Sequence, residues 1–501
     1  MNKNNKSKHP RSLDGSFSNR TKLAPDEEKK TNDQILTSSD VAESNEELKK
    51  TIGVLIIPAA FLGLALLLHI HIDRATIYLI AFLVSILTVI RVRKSPDISV
   101  ALAVIYIPLS REYPFKIAPG INGTTLIELL LLSTVAYYSI IRKEKHVKSN
   151  TAIPKLIFYW GLWAVISILV AMFNIGFHTF IWNYAYPVRA FFDQLIIFFL
   201  ISRLLNNNIR AQRAFIYLTI SSLIIIAIGF NEWLFSRNIS SIEKSRLLGP
   251  VLQPNEFAAQ IIYFLPILVA MAAYYFPKIR SWKYLIFLVF ALRVLLATFS
   301  RGAYLAFAAE GLAVSFFKSK KFFILVLIAI ASVYFFIPSL VPNSLKARVN
   351  QTFQDTGPGA EIDKSADSRF YLWGAAIKMT EQSPIFGMGF DQFHRLSPSY
   401  TAIPIEATDN QNMFLYAASN MGVPSLALII GILLLFFLRS YKLYKKSPIE
   451  IEKVIALGAM SLVPGYIVVN MFGTHMIDPS VSMFFWVYCA IINAIIFQDK
   501  K

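Results

Sequence analysis

Residues 284–318 read YLIFLVFALRVLLATFSRGAYLAFAAEGLAVSFFK. Two apolar runs, near 284–299 and 302–318, flank a short Ser-Arg-Gly turn. Each run is close to the length that carries an α-helix across the hydrocarbon layer of a bilayer. A guanidinium between two such helices cannot sit in lipid without a penalty of several kcal/mol. Arg301 therefore belongs at a membrane boundary, and its permanent charge calls for an anion there.

The pattern of this stretch recurs along the chain. The sequence has 501 residues, of which 55% are hydrophobic and 16% charged, and its mean hydropathy is +0.51. A soluble domain is roughly a quarter charged, so the balance points to the membrane. Apolar spans fall near 52–71, 75–92 and 96–110, continue through 323–342, and resume at 412–438, 454–472 and 479–497. The expected fold is an all-α integral membrane protein with about 12–14 transmembrane helices and a large extracytoplasmic loop before the last spans. Four regions follow from this reading: a disordered cytoplasmic tail at 1–50, transmembrane helices at 51–342, the large loop at 343–411, and the C-terminal spans and cytoplasmic end at 412–501. The tail is polar and nearly free of aromatic residues. The only cysteine, Cys489, lies in an apolar run, so no intramolecular disulfide forms.

The charge distribution sets an orientation. The net charge of +18 would suggest nucleic acid in a soluble protein, but here Lys and Arg cluster between apolar runs. Arg91, Arg93 and Lys94 form one cluster, Arg142, Lys143, Lys145 and Lys148 another, and Arg203, Arg210 and Arg213 a third. The series continues with Lys278, Arg280 and Lys283, with Lys318, Lys320 and Lys321, and with Arg439, Lys442, Lys445, Lys446 and Lys453. All fall on one side if both termini are cytoplasmic. Nucleic acid is not an expected partner; the lipid bilayer is.

On the opposite side the chain places a different set of arginines. Arg189 stands in YAYPVRAFFDQ, Arg246 in SRLLGPVLQPNEFA, Arg301 in the quoted turn and Arg369 in the large loop. The planar fork of arginine matches phosphate oxygens bidentately, so several at one membrane surface can make a diphosphate site. The bland alternative is that each anchors a helix end at the lipid headgroups. Arg293, inside an apolar run, must pair or face a polar space, with Asp193 and Glu232 as candidate partners. Asp409, Asn410, Gln411 and Asn412 stand together before an apolar run, and helix capping explains only one of them. Asp409 is a candidate general base for a sugar hydroxyl. His394 and His475 share this side, where a lone loop histidine is ordinarily solvated. The segment RFYLWGAAIKM is expected to form an amphipathic helix with Phe370, Trp373 and Ile377 on one side. Walker, GxGxxG, HExxH and CxxC patterns are absent from the sequence, so an ATP-driven pump and the common metal centres are not expected.

Three segments together resemble the O-antigen ligase and polymerase superfamily. TFSRGAYLAF, residues 298–307, resembles its Ser-Arg-Gly segment. RLLGPVLQPNEFAAQIIYFLP, from Arg246, is similar to its Arg-x-x-Gly and Pro-Asn-x-Phe-Ala segment. RFYLWGAAIKMTEQSPIFGMGFDQF, from Arg369, is similar to its Arg-x-x-x-Trp segment followed by Pro-x-x-Gly-x-Gly. Their order agrees, and the likeness spans roughly 180–440. The resemblance implies a bacterial inner-membrane glycosyltransferase that draws on undecaprenyl-diphosphate-linked glycans at the outer face, without nucleotide, metal or other cofactor. Arg189, Arg246, Arg301 and Arg369 would then meet the diphosphate. Asp409, Arg301 and Arg369 would serve the chemistry, supported by Asn255, Ser300, Asn410, Gln411 and Asn412. Where the ligase branch commonly carries a histidine before asparagine, this chain has Gln411 before Asn412. Glutamine is no base. The departure favours a polymerase joining lipid-linked repeat units over a ligase acting on a lipid or protein acceptor. A transporter of lipid-linked oligosaccharides is the reading from another class. Other polysaccharide assembly proteins are the expected partners.

The orientation has a direct check. Topology reporters fused at Lys145 and at Lys364 should give opposite signals, and matching signals would reject the two-sided arrangement.

Overall fold

Helix boundaries in this protein are set largely by side chains that satisfy backbone groups at the helix ends. Asn122 accepts from the Thr125 amide at 3.1 Å and opens one helix. Gln253 accepts from the Glu256 amide and opens another, with Pro254 at its first position. Asn412 accepts from the amides of Phe414 and Leu415. Asp478 accepts from the Ser480 amide just before Pro479. The computed structural model describes residues 92–116, 121–144, 152–236, 245–336, 364–401 and 409–495. The expected tail at 1–50, the first two expected spans up to residue 91, and the 343–363 part of the large loop lie outside the described residues.

The helices are α1 (Asp97–Tyr106), α2 (Gly123–Ala136), α3 (Ile153–Ile175), α4 (Phe177–Leu204) and α5 (Asn208–Ser236). Then come α6 (Pro254–Tyr275), α7 (Trp282–Ala297), α8 (Arg301–Lys318), α9 (Lys320–Phe336) and α10 (Lys364–Gln382). A single turn α11 (Phe393–Leu396) precedes α12 (Met413–Lys446), α13 (Glu450–Asn470) and α14 (Pro479–Ala494). No strand forms among the described residues, and the chain is an all-α integral membrane protein. Among the described residues, seven helices are long and apolar enough to cross a membrane: α2 with its following turn, α3, α4, α5, α6, α12 and α13.

Burial sorts these helices. In α6, 94% of the apolar window lies inside the protein, against 39% in α3, so α6 is the central post and α3 is peripheral. Leu162, Leu169 and Phe173 of α3 point outward, as a lipid-facing stripe should. α13 packs on α6, α8 and α12, while α14 packs on α4, α5 and α6. The Tyr263 ring of α6 stacks on Tyr466 of α13 at 5.3 Å, and Asn470 donates to the Tyr263 hydroxyl at 2.7 Å. Interhelical hydrogen bonds of this sort hold helices in register where lipid supplies no hydrophobic drive.

The two ends of the bundle differ in chemistry. At one end Arg142 donates to the Arg93 carbonyl, Arg203 to Ser139, Arg210 pairs with Glu144, and Arg213 pairs with Asp97. Lys318 donates to the last carbonyls of α6, and Arg439 to those of Ile492 and Ile495 at the end of α14. Cations at helix C-termini complement the dipole. The expected basic clusters therefore share one end. The first residues of α6, α8 and α14 lie at the other.

Close packing between α8 and α13 depends on Gly465. A Cβ there would lie 2.1 Å from Oε1 of the fully buried Glu310 and 2.3 Å from its Cγ. Gly465→Ala should destabilise the protein by about 1–3 kcal/mol, as overpacking does. Adding Glu310→Ala should recover most of that loss in a thermal unfolding scan of the detergent-solubilised protein. An unchanged midpoint in Gly465→Ala would contradict this packing.

Candidate functional site

The turn quoted at the outset is tight. Phe299 takes a left-handed φ of 53°, and Ser300 then leads directly into α8. Ser300 makes no side-chain cap, so the first turn of α8 presents backbone amides outward. Arg301 is its first residue. A helix start of this kind attracts anions through its amides and its dipole.

Two further arginines converge on the same place. Arg246 donates through Nε to the Thr298 carbonyl at 3.0 Å and through Nη2 to Asn255 Oδ1 at 2.7 Å. Its loop is fixed from behind: the Glu232 carboxylate accepts from the amides of Leu248 and Gly249 at 2.8 and 2.9 Å. The Leu247 amide also donates to Ala297 at the end of α7. Arg369, in α10, donates through Nε to Gln411 Oε1 at 2.9 Å, and its guanidinium lies 5.9 Å from the Phe472 ring centre. Arg246, Asn255, Ser300, Arg301, Arg369, Phe472 and His475 line one cleft with about 450 Å³ of empty space, part of it open to solvent.

The other expected residues take different places. Arg189 lies midway along α4, where it pairs with Asp193 at 3.3 Å and donates to Thr125. It is not among the residues lining the arginine cleft. Arg293 places its guanidinium 4.2 Å from the Trp233 ring centre, a cation–π contact that sequence spacing did not suggest. Asp409 accepts from the Gln411 amide at 2.9 Å and from the Thr474 hydroxyl. Asn410 is fully buried and accepts from the Asn412 amide at 3.1 Å, while Asn412 caps α12. Gln411 reaches the cleft by holding Arg369. The polar quartet thus divides into a loop latch, a buried turn, an arginine support and a helix cap.

The segment from 364 is helical, as α10, but its buried side carries Leu372, Ala375, Ala376 and Met379. Phe370 and Ile377 are exposed, and Trp373 leans on Phe370 and Phe472. The small alanines of the buried side let α10 approach α12 closely. After α10, Gly387 and Gly389 take positive φ of 68° and 103°, Gly387 facing α12 and Gly389 facing Ala171 of α3. The amides of Met388 and Gly389 donate to Ser419 and Asn420, and a Cβ on Gly387 would meet the Asn420 backbone at 2.4 Å. The Pro-x-x-Gly-x-Gly segment is therefore a dock that fixes α10 to the kink of α12 at Gly422.

His475 and Arg111 are the residues that sequence reasoning did not select. His475 is 8% exposed, in the loop between α13 and α14. Burial, and then the charges of Arg369 and Arg111, push its pKa down to about 4, so the imidazole is neutral at neutral pH. Arg111 pairs with both Glu256 and Asp478, tying the end of the α1 region to the starts of α6 and α14. These contacts join residues hundreds of positions apart, for which local spacing carries no signal.

Residues 285–430, which include Arg301, Arg369 and the Asp409–Asn412 quartet, match the family model described as O-antigen ligase. The match supports membership of the O-antigen ligase and polymerase superfamily. A search of curated proteins gives no match.

The neutral His475 predicts a pH effect. Its folded pKa lies below the usual 6.5, so the unfolded chain binds the proton first as pH falls. The associated stability is complete above about pH 6.5 and is lost toward pH 4, by up to about 3 kcal/mol. Comparing unfolding of wild type with His475→Gln across that window isolates this contribution. Parallel profiles would show that His475 is not buried in neutral form.

Proposed function

We propose that the chain is a metal-independent membrane glycosyltransferase that polymerises undecaprenyl-diphosphate-linked repeat units into a cell-surface or exported polysaccharide. The observation that carries this reading is the convergence of Arg246, Arg301 and Arg369 with the open first turn of α8 in one cleft. A diphosphate placed there meets three forked cations and the positive end of a helix. The same groups stabilise the charge that develops on the departing carrier diphosphate as the glycosidic bond to it breaks. Phe299 and Phe472 give the cleft apolar walls, which lower the local dielectric and strengthen these interactions.

In this reading the enzyme sits in the bacterial inner membrane with both termini cytoplasmic and the cleft at the outer face. The basic clusters at the opposite end of the bundle support that orientation through the positive-inside rule. α10 and the Asp409–Asn412 loop form the extracytoplasmic cover of the site. Asp409 holds the loop that carries His475, through Thr474. Arg189 serves the site from a distance, beside Asp193.

Ligase-type transfer to a lipid or protein acceptor uses the same donor chemistry and differs only in the acceptor. Gln411, which supports Arg369 where the ligase branch commonly has histidine, favours the polymerase. Transport of the lipid-linked glycan would call for cations spread through many spans, whereas Arg246, Arg301 and Arg369 converge at one end of the bundle.

Arg301→Lys keeps the charge and loses the fork, and should reduce polymer ten- to a hundredfold at normal protein abundance. One charge-assisted phosphate contact is worth about 1.5–3 kcal/mol. Arg246→Lys and Arg369→Lys should behave alike, with single repeat units accumulating on the carrier. Lys378→Ala, on the exposed side of α10, serves as the control. Wild-type polymer in all three arginine variants would reduce these residues to helix-end anchors.

A further inference from the structure

We propose that His475 is the general base that takes the proton from the attacking acceptor hydroxyl. This inference rests on the transferase reading above and assigns the other half of its chemistry. The cleft lining supplies the first reason. Of its side chains, arginine is always charged, and asparagine and serine are not bases near neutrality. His475 alone is an imidazole, neutral at neutral pH, whose nitrogen lone pair can take a proton as the acceptor oxygen attacks.

Position supplies the second reason. The loop that carries His475 is fastened at three points. The Met413 amide donates to the Gly473 carbonyl at 3.2 Å, Thr474 donates to Asp409, and Asp478 pairs with Arg111. Gly473 also makes room for the ring: a Cβ there would stand 2.1 Å from His475 Nε2. The imidazole is thus held at the wall of a cleft whose other walls carry the cations. Asp409 fastens this loop through Oδ2 and accepts from the Gln411 amide through Oδ1, which makes it a positioning residue for the base.

The acceptor hydroxyl oxygen forms a bond to the anomeric carbon of the donor glycan, and the bond from that carbon to the carrier diphosphate breaks. The electron pair leaves with the diphosphate, held by the arginines. The hydroxyl proton passes to the His475 ring nitrogen and from there to solvent. The charged groups facing His475 are Arg369 from α10, Arg301 from α8, Arg246 from the loop before α6, and Arg111 with its partners Glu256 and Asp478. A bound diphosphate offsets the field of these arginines. Proton uptake by His475 therefore becomes easier when the donor is in place, so that the base strengthens as the substrate binds.

The test uses the full-length protein and membranes of the native host lacking it, which hold the accumulated lipid-linked repeat units. His475→Gln should bind undecaprenyl diphosphate within about twofold of wild type yet polymerise at least a hundredfold more slowly. Added imidazole should restore part of the turnover of His475→Ala and none of that of Arg301→Ala. Gly473→Val, which displaces the ring, should lower turnover and leave diphosphate binding intact. Wild-type turnover in His475→Gln would overturn the inference. So would loss of diphosphate binding together with turnover, or the absence of imidazole rescue in His475→Ala. If wild type neither binds undecaprenyl diphosphate nor extends the repeat units, the transferase reading itself fails.

Discussion

Guanidinium groups that share a cleft repel one another, and a membrane protein can hold several together only if each is tethered from a different direction. Arg246 is anchored to the Thr298 carbonyl and Asn255, Arg369 to Gln411, and Arg301 by its place at the start of α8. Their backbones come from three separate segments. The cleft exists because the ends of α6, α8 and α10 are brought to one point, and the packing of α6, α8 and α13 fixes that point. The central position of α6 goes with its polar contacts to neighbours, Gln260 donating to the Pro108 and Ser480 carbonyls and the Tyr263 hydroxyl accepting from Asn470, which lipid could not supply.

Around this cleft the loops are held by polar contacts of very long sequence range. Arg111 joins the starts of α6 and α14 through Glu256 and Asp478. Asp409 joins the entrance of α12 to the loop before α14. The glycines after α10 press their backbone against the kink of α12. Each contact makes a surface loop as definite in position as a helix, which is what placing reacting groups requires. A transferase needs an electrophilic side that draws charge away and a basic side that takes a proton. The cleft has cations on three walls and a neutral imidazole on another.

Much of this was legible in the sequence because hydropathy and loop charge are strong local signals. The apolar runs gave the helices, and the basic clusters fell at one end of the bundle, as at Arg142, Arg203 and Arg213. Arg246, Arg301 and Arg369 were recognisable because each stands beside a glycine, proline or aromatic residue that breaks an apolar pattern. Arg189 looked equivalent, but it has Asp193 one turn away, and the structure keeps the two together inside α4. Arg293, which inside an apolar run must pair or face a polar space, also lies over the face of Trp233. The spacing of Phe370, Trp373 and Ile377 marks one side of α10, and Phe370 and Ile377 are exposed. Close approach to α12 selects Ala375 and Ala376. A loop histidine such as His475 shows nothing in sequence of the arginines, all more than a hundred positions away, that surround it.

The central claim is that the three arginines and the start of α8 receive the diphosphate of a lipid carrier. It is tested most directly by determining the structure of the full-length protein in a lipid nanodisc with undecaprenyl diphosphate. The account predicts diphosphate density within hydrogen-bonding distance of the guanidinium groups of Arg246, Arg301 and Arg369. It also predicts that this density is lost when Arg301 is replaced by alanine. Diphosphate density elsewhere, such as beside Arg189, with the arginine cleft left to solvent, would contradict it.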